Sequence, residues 1–199
     1  MQRKAALALH LLVGIVVCAL WFPWRNQASK AAYQRRWSSA LLRRCGMTLQ
    51  VRLDGGDFIA LPPPQDRCFV PTEAGVMLAA NHVSWLDIFA INAWHPVRFV
   101  AKADIRRWPV VGWLAANTGT LFIDRGQRSA VRHMLHAIAS ALQARHTVCV
   151  FPEGTTSDGF SLLPFHSNLL QAPIAVGAPV RPLTIRYLDA ATGAQTTAP

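Results

Sequence analysis

An α/β domain, a mixed sheet flanked by helices behind an N-terminal membrane-anchoring helical segment, is the fold class predicted for this chain of 199 residues. Three observations predict it. From Val76 onward, short apolar runs alternate with stretches of helical periodicity, the pattern of strand–helix–strand units. Gly and Pro stand between those runs, where the chain must turn. Ahead of them, Ala5 to Phe22 is apolar except at His10 and Gly14.

That first segment would make a helix of about 27 Å, just short of the ~30 Å hydrocarbon core of a bilayer. A short span and a half-buried anchor both fit. A secretory signal also has a basic start and an apolar centre, but no small-x-small cleavage site follows, and Trp21, Phe22 and Trp24 form an interfacial aromatic belt. Arg25, Lys30, Arg35, Arg36, Arg43 and Arg44 outnumber Arg3 and Lys4. The rest of the chain is therefore expected on the cytoplasmic face of the inner membrane. Within Ala28 to Cys45, apolar residues alternate with arginines at helical spacing. This reads as a basic helix on the bilayer surface, or as a charged helix docked on the domain. Residues 1–46 are thus expected to form the anchor and 47–199 the domain.

Thr48 to Leu53 reads as a first strand, and the Gly55-Gly56 and Pro62-Pro63-Pro64 stretch as a loop. The domain proper then runs through three expected strand–helix pairs and two single strands. Val76 to Ala80 is a strand and Ser84 to Trp94 a helix; Val97 to Ala101 is a strand and Arg107 to Asn117 an apolar helix. Thr120 to Ile123 is a strand and Arg128 to Arg145 a helix. Thr147 to Phe151 and Val180 to Tyr187 are the last two strands. In the helix from Arg128, residues Val131, Met134, Leu135, Ile138, Ala139 and Leu142 recur at i, i+3, i+4, i+7, i+8 and i+11, one buried stripe.

Lys plus Arg number 20 against 10 for Asp plus Glu, a formal charge of +10, with 52% hydrophobic residues. Such a surface calls for an acidic partner. The high apolar content favours anionic membrane lipids over a nucleic acid, which is not expected. Cys18, Cys45, Cys68 and Cys149 show neither C-x-x-C spacing nor clustering with His. Neither a zinc site nor a disulfide framework can be read from them, and reduced thiols facing the cytosol are expected.

Asn81-His82-Val83-Ser84-Trp85-Leu86-Asp87 leaves the Val76 to Ala80 strand and opens a helix. Ser84 can cap that helix, which puts Asp87 in its first turn, where the dipole favours an anion. On one continuous helix His82 and Asp87 would stand about 140° apart, so they meet only if His82 lies in the turn and Asp87 reaches back. Asp87 would then accept from one ring nitrogen and leave the other as a base. A His and an Asp capping a helix end is the plainer alternative. Two further loops leave strand ends: Asp124-Arg125-Gly126, and Pro152-Glu153-Gly154-Thr155-Thr156-Ser157. They offer a guanidinium, backbone N–H groups and hydroxyls suited to a phosphate, with Lys102 as a further contact. Ser84 and Cys149 have no base at motif spacing, which disfavours a covalent nucleophile.

Taken in order, Asn81-His82-x-x-x-x-Asp87, Gly119 to Arg125, Phe151-Pro152-Glu153-Gly154-Thr155 and Val180-Arg181-Pro182-Leu183 resemble the four blocks of the glycerolipid acyltransferases. That family is typified by 1-acyl-sn-glycerol-3-phosphate acyltransferase. The resemblance runs from about Val76 to Leu188. It implies a glycerol-3-phosphate acyltransferase-like fold and a membrane enzyme of phospholipid biosynthesis. His82 would be the general base and Asp87 its support. Arg125 would hold the lysolipid phosphate, while Glu153, Gly154 and Thr155 shape the acceptor site. The acyl donor would be acyl-coenzyme A or acyl carrier protein, the acceptor a lysolipid, with no metal and no bound cofactor. Many members carry E-G-T-R-S where this chain has Glu153-Gly154-Thr155-Thr156-Ser157, and F-K-x-G where it has Phe165-His166-Ser167-Asn168. Those departures point to lyso-ornithine lipid as the alternative to lysophosphatidic acid. The family domain normally continues past the fourth block, so a shortened chain is expected. From a different class, a non-catalytic basic module that holds acidic lipid or nucleic acid would also account for the charge.

Overall fold

The structure is a computed structural model, and it describes residues 2–52, 58–60, 75–123 and 128–198. Its elements run α1 (Gln2–Leu20), α2 (Gln27–Arg44), β1 (Gln50–Arg52), β2 (Phe58–Ala60), β3 (Val76–Ala80), α3 (Leu86–Trp94), β4 (Arg98–Lys102), α4 (Val111–Asn117), β5 (Leu121–Ile123), α5 (Arg128–Gln143), β6 (Thr147–Val150), α6 (Gln171–Val176) and β7 (Val180–Leu183). Five strands form a sheet in the order β5-β4-β6-β3-β7, every pairing parallel. The expected mixed sheet is corrected accordingly. Among the described residues, antiparallel pairing of strands is confined to the separate pair β1–β2, besides an isolated bridge between Leu188 and Gln195. Each connection within the main sheet carries a helix, and only such crossovers return a chain parallel to itself.

Both faces of the sheet are covered, which is why its strands read as unbroken apolar runs. Met77, Val148 and Val150 point to one side and pack with Met134, Ile138, Ala141 and Leu142 of α5. Val76, Leu78, Ala80 and Cys149 point to the other and pack with Ile91 and Trp94 of α3. The period of two along β3 and β6 assigns the sides, and the predicted stripe of α5 supplies the first of these cores. β7, which carries Pro182, occupies an edge of the sheet, where a residue without an N–H is tolerated.

Gly75, at the entry to β3, lies so close to α5 that an added Cβ would stand 1.9 Å from the carbonyl oxygen of Leu142. Backbone cannot swing aside as a side chain can. Gly75→Ala is therefore expected to destabilise the fold by about 2–3 kcal/mol, read as a lower urea midpoint at unchanged slope. A midpoint equal to that of the wild type would contradict this packing.

Several expected boundaries shift for local reasons. The helix expected from Arg107 to Asn117 starts late, at Val111, and Arg107 instead closes a 3-10 segment, Ala103–Arg107. Pro109 lacks a donor, and Val110 follows at φ 65°, outside any helix. The last strand ends at Leu183, not at Tyr187, because Ile185 bonds to a side chain described below.

Helix α2 docks on α3, burying Ser38, Leu41 and Leu42, so the docked alternative holds for that face. Helices α1 and α2 are joined by a reciprocal pair. The indole N–H of Trp37 donates to the carbonyl of His10 at 3.2 Å, and His10 Nε2 lies 3.0 Å from the carbonyl of Trp37. Their rings stack 4.5 Å apart. Gly14 permits this approach, since a Cβ there would meet the Trp37 ring at 2.8 Å. The sequence gives His10 no assignable role; its place is structural. Among the described residues no helix is long and apolar enough to cross a membrane.

Candidate active site

All five strands of the main sheet run the same way, so the loops that follow them gather at one edge. The chain leaving β3 there is pinned by Asn81. Its amide oxygen accepts from the N–H of Ile185 at 2.7 Å, and its amide nitrogen donates to the carbonyl of Ile185 at 3.0 Å. A side chain thus replaces the strand ladder, and the segment beyond β7 is carried over to the site.

Asp87 is fully buried in the first turn of α3. Its Oδ2 accepts from the N–H groups of Val83 at 2.7 Å and Ser84 at 2.9 Å, and lies 2.8 Å from Nδ1 of His82. Its Oδ1 accepts the phenolic O–H of Tyr187 at 2.6 Å. Half of the expected capping box is present, since the carboxylate reaches back to Ser84. The hydroxyl of Ser84 accepts from Leu86 instead, at 3.3 Å, and the helix opens at Leu86. A carboxylate this deep in the protein is stable only when its lone pairs are matched by donors, and four donors surround it. Nδ1 of His82 meets an acceptor already holding two backbone N–H groups, so Nδ1 carries the proton and Nε2 is the free base.

The imidazole of His82 stacks on Phe151 with centroids 4.0 Å apart and planes inclined by 16°. Its side chain keeps 17% of its surface accessible. Its backbone is fixed from the β6 loop. The N–H of His82 donates to Glu153 Oε1 at 2.8 Å, and its carbonyl accepts the N–H of Ser157 at 2.8 Å. Glu153 Oε2 accepts the N–H of Leu163 at 3.0 Å. Both carboxylate oxygens of Glu153 are therefore engaged with backbone, and the residue shapes the site by holding His82 in place. Gly154 turns the loop at φ 71°, a conformation that suits glycine, and Thr155 is exposed beside it.

Of the residues expected at the site, His82, Asp87, Glu153 and Gly154 come together, with Thr155 on the same loop. Lys102 is exposed at the end of β4, the strand adjacent to β6 on the same edge. Arg125 lies outside the described residues. Cys149 is buried beneath the site, and burial pushes its thiol well above the ordinary range, with the Asp87 charge adding to it. That thiol is not a nucleophile.

Tyr187, Phe151 and the pinning role of Asn81 escaped the sequence. The one signal for Tyr187 was an aromatic residue with a polar tip closing an apolar strand, which many core tyrosines share. Burial, and then the bond to Asp87, raise the Tyr187 phenol above its usual range. The unfolded phenol titrates near pH ~10. A native value above that adds stability that is complete below about pH 10 and is lost as pH rises further. Tyr187→Phe is expected to flatten this alkaline fall and to cost about 1–2 kcal/mol at neutral pH. Urea titrations of both proteins at neutral and alkaline pH measure it; parallel curves would contradict the assignment.

Comparison with known proteins adds three findings. The family model described as Acyltransferase matches residues 65–186. A 1-acyl-sn-glycerol-3-phosphate acyltransferase of Neisseria meningitidis serogroup B is 42% identical over 154 residues, which is 77% of this chain and 58% of that protein. A lyso-ornithine lipid O-acyltransferase of Pseudomonas aeruginosa is 42% identical over 112 residues, 56% of this chain and 43% of that protein. The chain thus spans about half the length of these curated relatives. The crystal structure of a 1-acyl-sn-glycerophosphate acyltransferase from Thermotoga maritima shares the fold at TM-score 0.59 and 20% identity, covering 89% of this chain and 73% of that one. The family match takes in His82, Asp87 and Glu153 together with the strands that hold them, and on that extent the chain belongs to the Acyltransferase family.

Proposed function

We propose that this protein transfers a fatty acyl group from an acyl thioester, acyl-coenzyme A or acyl carrier protein, to the free hydroxyl of a lysolipid. The observation that carries the proposal is the bond between His82 Nδ1 and a buried carboxylate, made by a ring that stays partly accessible and whose other nitrogen is Nε2. Nε2 takes the proton from the acceptor hydroxyl as its oxygen attacks the thioester carbonyl. The tetrahedral intermediate collapses, the carbon–sulfur bond breaks, and the departing thiolate receives the proton from the imidazolium. Asp87 stabilises that imidazolium while it exists. No bound cofactor or metal enters this scheme, since the acyl thioester is a co-substrate.

Lysophosphatidic acid is the favoured acceptor, giving phosphatidic acid, in keeping with the Neisseria relative. Arg125 and Lys102 hold its phosphate, aided by the hydroxyl of Thr155. Lyso-ornithine lipid is a second reading, favoured by Thr156 where many members have a cation and by the Pseudomonas relative. Helix α1 exposes Leu9, Leu12, Val16 and Leu20, which fits a half-buried anchor on the cytoplasmic face of the inner membrane. Supplying the purified protein with labelled acyl-coenzyme A or acyl carrier protein and each acceptor tests the reading. Labelled phosphatidic acid is the expected product, acylated ornithine lipid would select the second reading, and neither product would reject both.

A further inference from the structure

We infer that the turn between the 3-10 segment Ala103–Arg107 and α4 is a second lipid-contacting element, which inserts at the surface of an anionic bilayer beside the active-site edge. The inference rests on the reading of the substrate as a lysolipid, and goes beyond the α1 anchor in naming another contact. Trp108, Val110, Val111 and Trp113 are 58%, 47%, 50% and 41% exposed. Four large apolar side chains within six positions make a concentrated patch, and such patches mark contact with another phase or partner.

Most of its backbone N–H groups are already bonded within the turn. The N–H of Trp108 bonds to the carbonyl of Ile105 at 3.0 Å, that of Val111 to Pro109 at 2.7 Å, and that of Gly112 to Trp108 at 3.0 Å. The N–H of Leu114 bonds to the carbonyl of Val110 at 2.9 Å, and Pro109 has no donor to satisfy. A turn whose polar groups bond to one another loses little on entering a lipid interface. The turn is also stiff. A Cβ on Gly112 would strike the carbonyl oxygen of Arg106 at 2.3 Å, and Val110 holds a positive φ that β-branched residues avoid. Strain of this kind persists only where the surroundings over-determine it. Here it presents Val110 and Val111 outward.

Charge and position select the bilayer as occupant. Lys102, Arg106 and Arg107 are exposed around the patch against the single carboxylate of Asp104, a net positive rim suited to anionic headgroups. Trp is the residue that settles at such an interface. The turn follows β4 at the carboxyl edge of the sheet, the edge that holds His82, and α4 adjoins α1. Contact there would bring the lipid surface to the base.

The test compares the full chain with Trp108→Glu/Val111→Glu and with Trp108→Leu/Val111→Leu. Binding is read by flotation with phosphatidylglycerol–phosphatidylcholine vesicles, folding by thermal melting, and self-association by light scattering. The glutamate pair is expected to lower vesicle partition about tenfold or more, and the leucine pair to keep it, since apolar area drives the contact. Turnover of vesicle-borne lysolipid should fall in parallel, while lysolipid dispersed in detergent is turned over at the wild-type rate. Wild-type partition of the glutamate pair would overturn the inference, as would a change in self-association alone. Absence of turnover in every protein would reject the proposed activity, yet flotation would still decide this inference.

Discussion

His82→Ala is expected to lower kcat/KM for acyl transfer by about 10³-fold while leaving the fold in place. The chemical half follows from removing the ring nitrogen that takes the proton from the acceptor hydroxyl. The structural half follows from what His82 contributes to packing. Its backbone N–H and carbonyl, not its ring, make the bonds to Glu153 and Ser157, and alanine retains both. The ring is lost, and with it the stack on Phe151 and one of the four donors to the buried Asp87, at a cost of about 2 kcal/mol. Melting temperature should therefore fall by about 4–8 °C with a single cooperative transition retained. Added imidazole, small enough to enter the vacated space, should restore part of the rate, which a purely structural role of His82 would not allow. Activity within a few-fold of the wild type would remove the base from the mechanism.

Asp87→Asn should separate charge from shape. With its oxygen placed at the Oδ2 position, the amide can still accept from Val83 and Ser84, and its NH2 can donate to a Tyr187 hydroxyl that has turned round. Stability should drop by about 1–2 kcal/mol. Catalysis should drop far more, by about 10²- to 10³-fold, because a neutral partner, though its oxygen can still accept from Nδ1, does not stabilise the imidazolium. Asp87→Ala is a harsher change. It leaves three N–H groups and a phenol around an empty space and should cost about 3–5 kcal/mol. If base and carboxylate act as a unit, joining Asp87→Asn to His82→Ala should lower the rate no further than His82→Ala alone. A multiplicative loss would mean that Asp87 acts separately.

Much of this was legible in the residues because it is local. Helix periodicity in the Val131 to Leu142 stripe and apolar runs at Val76 and Thr147 are set by neighbours a few positions away. The His82–Asp87 contact was also local: a spacing of five admits contact only across a turn, and a turn is what the structure contains. Its surroundings are long-range. Tyr187 reaches Asp87 across 100 positions and Asn81 reaches Ile185 across 104, separations at which no periodicity in the chain can speak. Glu153 was visible as a motif residue, but that both its oxygens face backbone N–H groups depends on the path of two loops. Parallel pairing throughout the main sheet, where a mixed sheet was expected, likewise depends on which strands become neighbours. The late start of α4 was foreshadowed by Pro109, yet the positive φ of Val110 runs against its residue type.

The central claim is that Asp87 holds His82 as its Nδ1–H tautomer, so that Nε2 faces the acceptor as a base. Multiple-bond ¹H–¹⁵N NMR on protein labelled at histidine nitrogen reads this without any turnover, with the His82 signals identified by their loss in His82→Ala. For the neutral ring of His82 a protonated Nδ1 and a bare Nε2 are expected. A spectrum placing the proton on Nε2 would contradict it.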